Sequence, residues 1–108
     1  MKYIYYKTDG THELIESEAP LSLKRLQALV GGSIEFTHQE PDSTVLCCNE
    51  EGLMNEMPEN PFFVYINQGV EGFMRGNIIQ GLDRETPDDM QFIGFDDPTP
   101  HIRTKIHQ

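Results

Sequence analysis

The chain has 108 residues and a formal net charge of −10, set by 18 acidic residues against 8 lysines and arginines. That length specifies one domain with one modest core, and 37% apolar residues with aromatics spread along the chain exclude wholesale disorder. So acidic a chain repels phosphate, which disfavours direct binding to nucleic acid and to anionic lipid, and leaves a basic protein or peptide as the natural partner.

The elements follow in chain order. Residues 2–7 (KYIYYK) are β-branched and aromatic and predict an opening strand. Thr8 to Gly10 form a turn, and 12–18 (HELIESE) a second short strand with Leu14 or Ile15 inward. Ser22 is a good N-cap. Leu23, Leu26 and Val30, with Leu29 beside them, then define one apolar helical face. Gly31 supplies the left-handed residue that ends the helix. In 33–38 (SIEFTH), Ile34 and Phe36 alternate with Glu35 and Thr37; a turn at 40–43 and the apolar run 44–48 (TVLCC) complete a β-hairpin. Asn49 to Gly52 is a polar turn, and 53–60 is irregular with room for one helical turn. The run 61–67 (PFFVYIN) fits either a strand or a buried loop, 69–72 a loop, and 72–80 a strand that Gly76 interrupts with a bulge or a close approach. Residues 83–89 read as a solvated turn and 90–95 (MQFIGF) as a last strand.

These elements predict an α+β fold, with one main helix packed on a mainly antiparallel sheet of four to six strands. Residues 1–97 form the domain, and 98–108 are expected as a polar tail. No run reaches the roughly 20 apolar residues of a membrane span, and the first residues lack the apolar core of a signal peptide. Cys47 and Cys48 are the only cysteines. Neighbours in a strand point to opposite faces and are poorly placed to bond each other. Free thiols fit a reducing compartment, so a cytoplasmic location is expected, the host cytoplasm if the protein is viral.

The segments LQALVGGSIE (26–35), VLCCNEEG (45–52) and GNIIQG (76–81), after an opening strand MKYI, resemble a small uncharacterised domain family of phages, mobile elements, bacteria and some eukaryotes. The resemblance covers roughly residues 1–82. It implies a small intracellular α+β domain and supplies no catalytic residues and no cofactor. A phage or mobile-element setting favours a role in binding a host protein.

The residues themselves offer no catalytic constellation. Carboxylates beside Cys47 and Cys48 raise thiol pKa values, which works against a nucleophile. A zinc site wants four N/S ligands from separated pairs; Cys47 and Cys48 are one adjacent pair, and of His12, His38, His101 and His107 only the tail pair His101 and His107, with five residues between them, has a ligand-like spacing. The acids Asp83, Glu85, Asp88 and Asp89 lack the glycine and the glutamate of a calcium loop. Neither a metal nor a cofactor is expected.

The charge pattern is more informative. Between Arg25 and Arg75 there is no basic residue, against eight carboxylates. Glu35, Glu40, Asp42, Glu50 and Glu51 flank the hairpin and are the candidate interaction residues. The first expectation is therefore a non-enzymatic interaction or regulatory module, an accessory protein that binds a basic partner. A second is a nucleic-acid mimic directed at a DNA- or RNA-binding defence protein, since alternate strand residues stand about 6.6 Å apart, not far from phosphate spacing. A third is a small hydrolase or metalloprotein using the Cys48 to Glu51 region. Solubility alone is the plainest use of the charge.

Overall fold

The computed structural model describes residues 1–39, 44–85, 90–96 and 105–107. In chain order they form β1 (Lys2–Tyr6), β2 (His12–Glu16), α1 (Leu23–Val30), β3 (Ile34–Gln39), β4 (Thr44–Asn49), β5 (Glu59–Asn67), β6 (Val70–Arg75), β7 (Ile78–Glu85), β8 (Met90–Ile93) and β9 (Lys105–His107). The fold is α+β, with one helix packed on a mainly antiparallel sheet.

The central sheet has the order β2-β1-β7-β4-β3, every pair antiparallel. Strand β8 pairs with β7 beyond the end of β1, and a bridge between Lys2 and Phe95 joins the two. A second sheet, β6-β5-β9, is antiparallel between β5 and β6 and parallel between β5 and β9.

Three layers result, and the side-chain alternation of β1 and β4 explains them. Tyr3, Tyr5, Val45 and Cys47 lie on one face of the central sheet, in a cluster with Leu26 and Val30 of α1. Ile4, Tyr6, Leu46 and Cys48 lie on the other, in a cluster with Phe63 of β5 and Met74 of β6. A strand covered on both faces reads as a continuous apolar run rather than an alternating one, as YIYY and TVLCC do. Each fully buried large side chain contributes about 1.5–3 kcal/mol over its exposed state. Tyr6 centres the second interface: Phe62 tilts against its ring and Phe63 meets it edge-on, both at 4.9 Å between centroids.

Helix α1 forms as its caps predict. The Ser22 hydroxyl accepts from the Arg25 N–H at 3.1 Å. At the other end Gly31 is left-handed, φ 82°, and its N–H bonds the Gln27 carbonyl at 2.9 Å. Leu26 and Val30 are buried, but Leu23 is 58% exposed, a departure from the predicted face. Leu21, just before the cap, packs into the cluster with Leu26 instead, the arrangement of a hydrophobic staple.

Other departures concern the second half of the chain. Residues 70–72, expected in a loop, belong to β6. The turn before them is only Gln68 and Gly69, both at positive φ, the geometry that suits a two-residue hairpin. The expected single strand 72–80 is two strands in different sheets, because Gly76, φ 82°, turns the chain out of one sheet and into the other. Asp83–Glu85 continue β7 rather than a turn. In β2, earlier in the chain, one of the two expected alternatives holds: Ile15 points inward and Leu14 is exposed. Lys105–His107 pair with β5; the rest of 98–108 lies outside the described residues. The turn expected at 40–43 lies outside the described residues.

Candidate functional site

Three of the five predicted interaction residues, Glu35, Glu50 and Glu51, are among the described residues. Glu35 is exposed on β3, opposite Cys48 in the register. Glu50 and Glu51 are exposed just after β4. The Glu50 N–H donates to the Ser33 carbonyl at 2.8 Å, so the hairpin brings Glu35, Glu50 and Glu51 to one end of the molecule. Glu40 and Asp42 lie outside the described residues.

From Glu50 the chain makes a compact turn to Glu56. The Glu51 N–H donates to Asn49 Oδ1 at 2.8 Å. Asn55 N–H to Glu51 O at 2.8 Å and Met57 N–H to Gly52 O at 3.0 Å close the turn on itself. Gly52 is buried against β6, where an added Cβ would stand 3.2 Å from the Arg75 carbonyl. Arg75 reaches back, its Nη1 donating to the Met57 carbonyl at 3.1 Å. A turn tied down in this way displays its outer side chains without flexing. Those side chains are Leu53, 66% exposed, and Met54, 83% exposed. Glu50, Glu51 and Glu56 flank them, and none of the three is in an ion pair among the described residues. The sequence reading missed Leu53 and Met54. The signal available was an apolar pair inside the acidic stretch NEEGLMNEM.

Beneath the turn, polar bonds join the helix to the central sheet and to the crossover. The buried Asn49 donates Nδ2 to the Val30 carbonyl at 3.2 Å, tying β4 to the helix end. The Tyr5 hydroxyl donates to the Leu29 carbonyl at 2.6 Å and accepts from Asn77 Nδ2 at 2.9 Å. Asn77 Oδ1 accepts from the Thr8 N–H at 3.0 Å. These bonds draw the helix end, the 49–52 turn and the Gly76–Asn77 crossover, far apart in sequence, to one end of the fold.

Cys47 and Cys48 are buried on opposite faces of β4, Cys47 with the helix cluster and Cys48 with the second-sheet cluster. Burial pushes both thiols up to about 12, with the Glu35 charge adding to the effect at Cys48. Burial of this kind disfavours the thiolate form of both side chains. Among the described residues no three His, Cys, Asp or Glu side chains are grouped to hold a metal. His12 packs instead near the rings of Tyr6 and Phe62. His101 and the acids Asp88 and Asp89 lie outside the described residues. Among those residues, no helix is long and apolar enough to cross a membrane.

A family model described as Domain of unknown function (DUF3846) matches residues 1–88. The chain belongs to this family. The DUF3846 match takes in α1 and β1 to β7, hence the acidic turn and every bond that anchors it, and it ends before β8. No protein with a curated description and no solved structure matches the chain.

Proposed function

We propose that this DUF3846 domain is a non-enzymatic protein-binding module whose acidic turn docks on a basic partner. The observation that carries this reading is the pair Leu53 and Met54, exposed on a rigid turn between Glu50, Glu51 and Glu56. Exposed apolar side chains at the centre of a charged rim have the anatomy of a binding hot spot. Methionine adapts its shape to an uneven pocket, while the carboxylates steer a cationic surface into place. The shielded thiols support a role without covalent chemistry.

A mimic of nucleic acid would present carboxylates without an apolar centre, so Leu53 and Met54 favour a protein surface over a nucleic-acid groove. The reading extends to an accessory protein of a phage or mobile element, acting in the host cytoplasm on a host protein. Affinity capture from the native host tests it, using wild type beside Leu53→Ser/Met54→Ser and Glu50→Lys/Glu51→Lys/Glu56→Lys variants. A basic protein retained by wild type and lost by both variants is the expected result. Equal recovery on all three would refute the assignment.

A further inference from the structure

Strand β2 is an outer edge of the central sheet, on the opposite side from β3, and no described strand pairs with its free side. Its hydrogen-bond phase follows from its two ends. Met1 and Ser17 exchange both of their bonds at 2.9 Å, and the Lys7 N–H donates to the Thr11 carbonyl at 2.9 Å. Bonded and non-bonded pairs alternate along an antiparallel ladder. The backbones of Glu13 and Ile15 therefore face β1, and those of His12, Leu14 and Glu16 face outward. All three outward residues are exposed, Leu14 by 51%. An open row of this kind is a template for another strand.

The row is complementary to itself. When two antiparallel strands pair, their outward residues must lie opposite one another. Two copies of β2 meet this condition about a two-fold axis at Leu14. Leu14 then faces Leu14 at the centre, His12 faces Glu16 on either side, and every outward N–H and carbonyl finds a partner. Moving the axis to Glu13 sets that carboxylate against its own copy, and moving it to Ile15 sets Leu14 against Glu16. Leu14 lies opposite Ile4 in the register, on the face of the second-sheet cluster, so the central register also extends that apolar layer across the joint. Charge permits approach at this edge although the chain carries −10. Glu13 and Glu16 are already paired with lysines of β1, Lys7 at 3.1 Å and Lys2 at 3.4 Å. Glu35, Glu50 and Glu51 stand on or just after β3 and β4, on the other side of the sheet. We infer that β2 pairs with β2 of a second copy of this chain, joining two central sheets into one. The pairing does not depend on the docking reading. Where both hold, one particle carries two acidic turns at its outer ends, and a partner with repeated basic sites gains avidity.

A joint made by strands of 5 residues is small and belongs to the weak class of interfaces, so it is sought up to about 1 mM chain. Sedimentation equilibrium should show the mass rising with concentration from one chain towards two. Over the same range, amide exchange should slow at His12, Leu14 and Glu16 but not at Glu13 and Ile15, which are already bonded to β1. Leu14→Pro removes an outward N–H and leaves the β1 ladder intact, a position where an edge strand accepts proline. It should stay monomeric with Glu13 and Ile15 still protected. His12→Glu and His12→Lys test the register without touching the backbone. Glutamate sets like charges opposite Glu16, and should associate about tenfold more weakly than lysine there. A wild type that stays monomeric up to about 1 mM overturns the inference, whatever other strand the edge accepts. Equal association of the two His12 variants, or of folded Leu14→Pro and wild type, overturns it as well.

Discussion

The side-chain amide of Asn60 donates to the Tyr6 carbonyl at 3.2 Å, and through that bond the second sheet is fastened to the central one. The same amide nitrogen donates to the Gly76 carbonyl at 3.0 Å, while its oxygen accepts from the Phe62 N–H at 3.0 Å. Asn60 is fully buried. A buried amide is tolerated when its polar atoms are bonded, and here its bonds hold a strand of each sheet and the crossover between them. Asn49 does the same on the opposite face for the helix.

Asn60→Ala should therefore be among the costlier single changes. It leaves two buried carbonyls and one N–H without their partner, and each unsatisfied group costs about 1–3 kcal/mol. A loss of about 2–4 kcal/mol is expected in urea melts, allowing for some relaxation. Asn60→Asp should be worse at pH 7, where a carboxylate would face two carbonyl oxygens, and should recover partly in acid. A loss under about 0.5 kcal/mol, the range of an ordinary surface change, would mean that the two sheets are held by apolar packing alone.

Leu26 and Leu23 should behave oppositely although three residues apart on one helix. Leu26 is 4% exposed and Leu23 58%. Leu26→Ala should cost about 2–5 kcal/mol, as a cavity in a packed core does. Leu23→Ala should stay within about 0.5 kcal/mol. Denaturant midpoints compare the two directly, and equal losses would contradict the staple formed by Leu21.

Gly31 at φ 82° closes the helix. Gly31→Ala should destabilise by about 1 kcal/mol, since a Cβ is disfavoured in that conformation. Gly31→Asn, which tolerates the left-handed region better, should cost less. If alanine proves the milder of the two, the left-handed cap is not what sets the cost.

Much of this layout is legible in the residues. Ser22 and Gly31 mark the ends of the helix, and the double-faced burial of β1 and β4 shows in YIYY and TVLCC. Adjacent placement of Cys47 and Cys48 predicts their opposite faces. The second sheet is not legible, because PFFVYIN carries no sign of which layer it joins and the glycines at 69 and 72 disguise β6 as a loop. Asn60 reads as a turn residue beside Pro61; its value depends on carbonyls 54 and 16 residues away in the chain. The candidate site divides in the same way. Glu50 and Glu51 stand out by charge, whereas the exposure of Leu53 and Met54 follows from Gly52 being clamped under β6, which only the tertiary structure creates.

Alkali should weaken the fold through the buried acids of the core. Cys47 and Cys48 are raised from 9.0 to about 12 by burial, and Tyr6 from 10.0 to about 12 by the same cause. In the unfolded chain these groups ionise near their ordinary values, so above about pH 9 the unfolded state binds fewer protons than the native one and stability falls as pH rises. The fall should continue to about pH 12, where the native groups also ionise. Urea midpoints from pH 7 to 10 should decline in wild type and flatten in Cys47→Ala/Cys48→Ala, whatever the double change costs at pH 7. An undiminished slope in the variant would place the titration elsewhere.

The central claim is that the turn from Glu50 to Glu56 is a docking surface with an apolar centre and an acidic rim. Association and dissociation rates with the basic protein captured from the host, measured across salt concentrations, test it most directly. Reversing Glu50, Glu51 and Glu56 to lysine should slow association and flatten its salt dependence, while Leu53→Ser/Met54→Ser should mainly speed dissociation, each with an unchanged melting temperature. Unaltered rates and salt slope in both variants would contradict the claim and leave the charge with no role beyond solubility.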